Sequence, residues 1–253
     1  GIEGTTIEAG EASGGAALRL AVLALRSGFV DTAIVVGVEK PTDKVGEEVE
    51  DAIQQSADYD YESMQGLTMH TQAALLKQRY LHQYKLDENV LASFAIIAHQ
   101  NGVNNENAMF RRAITPAHYE RSGMVADPLK MMDMAPYADG AAAVILTRAS
   151  LVPKDCAHPT VRITGSSNAT DRLALHDRID PLAFSAVSHS FNTAIRKAGI
   201  LPEEIDFLEV DDAFTIYAAL SLEAMAFAER GQSGKKASEG YFNMDGKLPI
   251  LTA

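Results

Sequence analysis

Apolar and polar positions alternate along this chain in a few clear patterns. From Ala16 to Leu25 every position but Arg19 is apolar, and Arg26 follows on the same edge seven residues later. A helix without a polar face is expected to be buried between other layers. Ser27 and Gly28 read as its stop. A small-residue turn over 9–15 feeds it, and residues 1–9 predict a short strand leading into that turn. Residues 32–38, TAIVVGV, form a short run rich in β-branched side chains. This predicts a strand covered on both faces, as in parallel sheets. Helix followed closely by strand is the α/β rhythm.

Residues 39–65 are polar and acidic, which predicts a solvated face or a mobile loop. Residues 66–84 and 86–102 predict two amphipathic helices, the second burying Leu91, Phe94, Ala95, Ile97 and Ala98. They make a helical insertion over about 39–125. Met124, Met131, Met132 and Met134 read as core filler. Residues 135–147 predict a turn and a small-residue strand, and 148–160 a connector. Strand 161–165, helix 181–199, strand 205–210 and a helix from Ala213 to about Glu229 complete the pattern. The expectation is two similar α/β halves, 1–150 and 151–253, the second incomplete. The chain opens at Gly1 and stops within an apolar segment at Ala253, so truncation at both ends is expected.

Composition narrows the function classes. With 47% hydrophobic and 22% charged residues, the chain of 253 residues reads as an ordinary globular protein. No run approaches the ~20 apolar residues of a spanning helix, and no membrane partner is expected. A net charge of −12 argues against a broad nucleic-acid surface. One cysteine excludes an intramolecular disulfide and fits a reducing, cytoplasmic setting. The seven histidines fall in no metal-binding spacing, and no phosphate loop or dinucleotide fingerprint occurs.

Candidate chemistry gathers at two places. Glu11 lies in the glycine turn before the long apolar helix, where a helix dipole stabilises an anion. A carboxylate there is a weak nucleophile but accepts a proton; the simpler alternative is a helix-start charge. Asp211 and Asp212 follow the IDFLEV run, at the strand-to-helix junction where α/β proteins bind ligands. They either cap the helix or, with Glu209 nearby, raise one another's pKa to make a general acid or base. Cys156, two residues from His158 in a proline-flanked connector, reads as an incidental loop thiol.

Four segments together resemble the thiolase superfamily, in its sterol-carrier-protein-type and archaeal acetyl-CoA acetyltransferase-like branch. They are IEAGEASGGAALRLAVLALRSG, DTAIVVGVEKPTD, MVADPLKMMDMAPYADGAAAVILT and IDFLEVDDAFTIYAALSLEAM. The resemblance covers the whole chain in order and implies a five-layered αβαβα sandwich. It also implies acyl-CoA as substrate, no covalently bound cofactor, and a homodimer or a heterodimer with a thiolase-like chain. Two departures lie within the chain: Glu11 stands where the family has its acyl-accepting cysteine, and Asp211 where it has a His or Asn. The family's later histidine and acid/base cysteine would fall after Ala253.

Without a thiolate, ping-pong acyl transfer is not available, and a carboxylate repels an oxyanion. Three readings follow from this. One is a cysteine-independent C–C reaction such as retro-aldol cleavage, with Glu11 or Asp211 as base. Another is a non-catalytic subunit supporting an active thiolase-like chain or a small zinc-ribbon/OB-fold partner. The last is an acyltransferase in which Glu11 is a substitution.

Overall fold

A computed structural model describes residues 3–250. After the glycine turn comes α1 (Ser13–Ser27), ended by Gly28 at φ 75°, a left-handed conformation that glycine adopts without steric cost. Strand β1 (Thr32–Glu39) follows. The insertion holds α2 (Glu47–Gln54), α3 (Met69–Tyr84), α4 (Ala92–Gly102) and α5 (Pro116–Glu120). The short hairpin of β2 (Met124–Ala126) and β3 (Leu129–Lys130) leads on to β4 (Gly140–Thr147). Beyond the connector lie α6 (Ser185–Ala198), α7 (Thr215–Ala224) and α8 (Ser233–Ser238).

β1 pairs antiparallel with β4, from Thr32 opposite Thr147 to Glu39 opposite Gly140. The expected parallel arrangement therefore does not hold for this pair. The helical insertion returns the chain alongside its own start, which closes an antiparallel ribbon. The small residues of β4 face Val36, Gly37 and Val38. One end is fastened by the Arg148–Asp31 ion pair. At the other end the Thr42 backbone N–H donates to Asp139 Oδ1 at 3.1 Å. The Thr42 donors hold the Asp139 carboxyl below its ordinary pKa.

α1 packs on one face of this ribbon, but the expected complete burial fails. Only Leu25 is buried, while Leu20 and Leu23 are 44% and 45% exposed. A two-stranded ribbon is too narrow to cover an all-apolar helix. Its own far face is uncovered too: Ile34, Val38 and Ile145 are 64%, 70% and 74% exposed, against the expectation of a strand covered on both faces.

The helix that is buried all round is α7, with Thr215 through Glu223 all buried. Around it pack Ala73, Leu76 and Tyr80 of α3, Phe94 and Ile97 of α4, and Leu129, Leu182, Phe242 and Leu248. Met124 and Met131 are exposed, so they are not the core filler expected of them.

Two expected strands are absent as regular elements. Residues 205–210 contribute one parallel bridge, Leu208 to Ile250, because only a short segment lies alongside. Residues 161–165 are irregular, with Val161 and Ile163 exposed and only the Gly165 end packed on α6. A Cβ at Gly165 would collide with the Ala194 carbonyl of α6, and Ser166 accepts from Arg19 of α1 at 2.8 Å. No strand forms over the described part of residues 1–9 either; Gly1 and Ile2 lie outside the described residues. Gly165→Ala is expected to lose about 1–3 kcal/mol of stability, since the obstructing atom is backbone and cannot swing away. Urea denaturation checks this.

Candidate active site

The glycine turn is built by its own polar groups. The Gly10 N–H donates to Glu8 Oε1 at 2.8 Å, and the Ala9 N–H to Ser13 Oγ at 2.8 Å. Gly10 is left-handed at φ 57°, so a side-chain-bearing residue there would be strained. Ala12, the residue capping α1, offers no side-chain cap; the Ser13 N–H donates to the Gly10 carbonyl at 3.0 Å, which leaves the Gly14 and Gly15 N–H groups as the first-turn donors. Glu11 sits just before this end.

The second wall is the segment before α7. Phe214 bridges Met134, and the Ala135 N–H donates to the Ala213 carbonyl at 3.0 Å. The segment leading to β4 therefore lies against residues 213–214. Asp211 Oδ1 accepts from the Ala213 N–H at 3.0 Å, which shapes the turn. Neither aspartate caps α7, whose cap residue is Phe214 and which has no side-chain cap.

The two walls meet. Desolvation first, and the charge of Asp211 second, raise the pKa of Glu11. Glu11 is exposed, with protein crowding one side of it. Burial, then the charges of Glu11 and Asp211, raise the Tyr217 phenol, with Arg178 opposing. Tyr137 is raised by burial, by its bond to Glu50 and by the charge of Glu11. Its hydroxyl donates to Glu50 Oε1 at 3.0 Å. Glu50 Oε2, buried without a hydrogen bond, faces His70 Nδ1 at 3.5 Å. His70 in turn meets the Phe214 ring edge-on at 5.7 Å, and Phe214 meets Tyr217 at 5.0 Å. Both phenols stay protonated at neutral pH, and Glu11 is a carboxylate with raised proton affinity.

The pKa of Asp212 is pushed up to about 6 by burial, then by the charges of Asp211 and Glu209. The native state therefore holds a proton that the unfolded chain, with its carboxyl near 3.8, releases sooner. Stability falls as pH rises through that window and stays lower above it. Asp212→Asn is expected to stabilise the protein by about 1–3 kcal/mol at pH 8, an advantage that vanishes below about pH 4. Urea denaturation at the two pH values measures this.

Of the predicted site residues, Asp211 acts electrostatically on both Glu11 and Asp212. Cys156 is exposed in the connector. Tyr137, Tyr217, Glu50 and His70 went unread in the sequence. Glu50 lies in the acidic stretch expected to be solvated, as does Glu62, which is buried and accepts from the Leu175 N–H at 2.7 Å. The only local signal for Tyr217 was its place three residues after Phe214, and for Tyr137 its place beside Ala138-Asp139-Gly140.

Buried side chains fix this site from behind. Asp133 Oδ2 accepts from Lys77 Nζ at 2.7 Å and from the Lys130 N–H at 2.8 Å. Its Oδ1 accepts from the Tyr119 hydroxyl at 2.7 Å and from the Thr215 hydroxyl at 2.5 Å. Lys77 and Asp133 have no side-chain exposure. Thr215 is the first residue of α7, so this ion pair bolts the insertion to the helix that carries Tyr217.

Fold and site together define an α/β protein in which carboxylates and phenols influence one another's protonation beside a helix that has no side-chain cap. Residues 2–150 match the family model for the thiolase N-terminal domain, and residues 167–253 match the thiolase C-terminal domain-like model. The chain belongs to the thiolase family. It is 36% identical over 249 residues to an acetyl-CoA acetyltransferase of Methanothermobacter thermautotrophicus, covering 98% of this chain and 64% of that protein. It is 35% identical over 238 residues to an acetyl-CoA acetyltransferase of Methanocaldococcus jannaschii, covering 92% of this chain and 59% of that protein. The chain thus spans roughly three fifths of the length of these relatives. Among solved structures, the Ltp2–ChsH2(DUF35) aldolase superposes with a TM-score of 0.83 at 21% identity, covering 94% of this chain and 64% of that one. The fold is thiolase-like. Among the described residues, no helix is long and apolar enough to cross a membrane.

Proposed function

We propose that this chain works on C–C bonds of acyl-CoA thioesters without an acyl-enzyme, by retro-aldol cleavage of a 3-hydroxyacyl-CoA. One observation supports this most: Glu11, where the resemblance puts the acyl-accepting cysteine, is a carboxylate whose proton affinity is raised by burial and by Asp211. A thiolate nucleophile is replaced by a base.

In this reading Glu11 takes the proton of the 3-hydroxyl. The Cα–Cβ bonding pair moves into the thioester as an enolate, and the β-carbon leaves as an aldehyde or ketone. The neutral Tyr217 phenol protonates the α-carbon and regains its proton from Glu11, so the site is restored. The enolate oxygen turns from Asp211, which would repel it, toward the Gly14 and Gly15 N–H groups at the start of α1. The substrate is a coenzyme A thioester, and no covalently bound cofactor is required. The chain is taken to divide near residue 150, since the two family matches fall on either side.

The test is incubation of the protein with 3-hydroxyacyl-CoA, following the shortened acyl-CoA and the carbonyl product by mass spectrometry. Absence of both products overturns the reading. The second reading, a supporting subunit, is favoured by Asp211, whose charge opposes oxyanion binding. It also draws on the similarity to an aldolase whose name pairs two components. It predicts products only after a partner chain, such as a thiolase-like or DUF35-type protein, is added.

A further inference from the structure

Beside Tyr217 a cleft of about 300 Å³ opens among Thr170, Asp171, Arg172, Leu173, Arg178, Phe184, Ala186 and Val187. Its floor is Phe184, whose ring lies 5.8 Å from that of Tyr217. Phe184 is left-handed at φ 44°, a costly conformation for a bulky side chain, and such strain persists where the surroundings impose it. The cleft thus shares a wall with the carboxylate–phenol site.

The lining has two characters. Phe184, Leu173 and Val187 supply apolar surface. Arg172 and Arg178 supply two guanidinium groups held by backbone carbonyls. Arg172 donates to the Asp177 carbonyl at 2.6 Å, and Arg178 Nε to the Arg172 carbonyl at 3.0 Å. Carbonyls orient a guanidinium without neutralising it. Among the described residues neither arginine makes an ion pair with a carboxylate. The one acidic lining residue, Asp171, accepts from the Arg172 backbone N–H at 2.8 Å. The charge of Arg178 opposes the raising of the Tyr217 phenol.

We propose that this cleft receives the far end of the acyl chain, and that the end it selects carries a carboxylate. The apolar wall accommodates methylene groups, while the two guanidiniums bind the terminal carboxylate through charge-assisted hydrogen bonds. This inference rests on the acyl-CoA reading above and names the substrate class within it.

The test compares binding of ω-carboxyacyl-CoA thioesters (succinyl, glutaryl and adipyl) with that of their methyl-terminated counterparts of equal length, by titration calorimetry. The carboxylate series should bind on the order of tenfold more tightly. Arg172→Gln should remove most of that preference while leaving the methyl-terminated series unchanged. Arg178→Lys, which keeps a cation near its backbone partners, is the second variant and should weaken the preference without unfolding the loop. Equal binding of the two series overturns the proposal and leaves the acyl-CoA reading standing. A uniform loss of affinity in the variants, extending to coenzyme A itself, also overturns it, because the arginines would then hold the coenzyme phosphates. Binding of no thioester overturns the acyl-CoA reading and this proposal with it.

Discussion

Glu11→Gln should reduce C–C cleavage by roughly 10²- to 10⁴-fold while leaving the fold and thioester affinity nearly unchanged. Glutamine preserves the shape and the hydrogen-bonding atoms of the side chain but cannot take up a proton, and loss of a positioned base costs about that factor. The loss should fall in kcat. The wild-type rate should rise with pH as Glu11 ionises, with a midpoint above the ordinary glutamate range, because Asp211 and desolvation hold the proton on. Asp211→Asn should bring that midpoint down. A pH–rate profile of the three proteins checks this; an unchanged rate in Glu11→Gln would sink the assignment. Glu11→Cys offers the converse experiment. A burst of acyl-enzyme in that variant would show that the site can still run the acyl transfer of its relatives.

The largest effect on stability is expected at Lys77. Its ammonium has no side-chain exposure and pairs with Asp133 at 2.7 Å. Lys77→Met strands a carboxylate in the interior, which costs about 3–5 kcal/mol. Replacing both partners by apolar residues of similar volume should recover much of that loss, because the desolvation penalty of the pair disappears with its attraction. The Thr215 hydroxyl binds the same carboxylate, so single variants should also loosen the start of α7. Urea denaturation of the two single variants and the double variant measures the coupling.

Local signals made some of this legible. The β-branched run at 32–38 is β1 to within one residue. Gly28 does end α1, whereas α3 starts at Met69, three residues later than expected, because Thr68 caps it by accepting from the Thr71 N–H. Glu11 and Asp211 could be singled out because each sits at a junction where the chain turns into a helix. What failed depended on partners distant in sequence. The all-apolar α1 suggests burial, yet burial requires neighbours on every side, and α7 is the helix that has them. Residues 161–165 and 205–210 have strand-like composition but find little backbone to pair with. Lys77 on an amphipathic helix reads as a solvated charge; its burial follows from Asp133, which lies 56 residues away. The phenol pair was illegible for the same reason, since Tyr137 and Tyr217 come from opposite sides of the connector and matter only where they converge.

The uncovered ribbon face has a practical consequence. In this chain taken by itself, Ile34, Val36, Val38 and Ile145 present adjoining hydrocarbon to water. Dyes that fluoresce on apolar surface, the usual sign of a loosened interior, should therefore bind these 253 residues while they are folded. A melting curve followed by such a dye would begin from a high baseline, and circular dichroism is the better reporter of its unfolding.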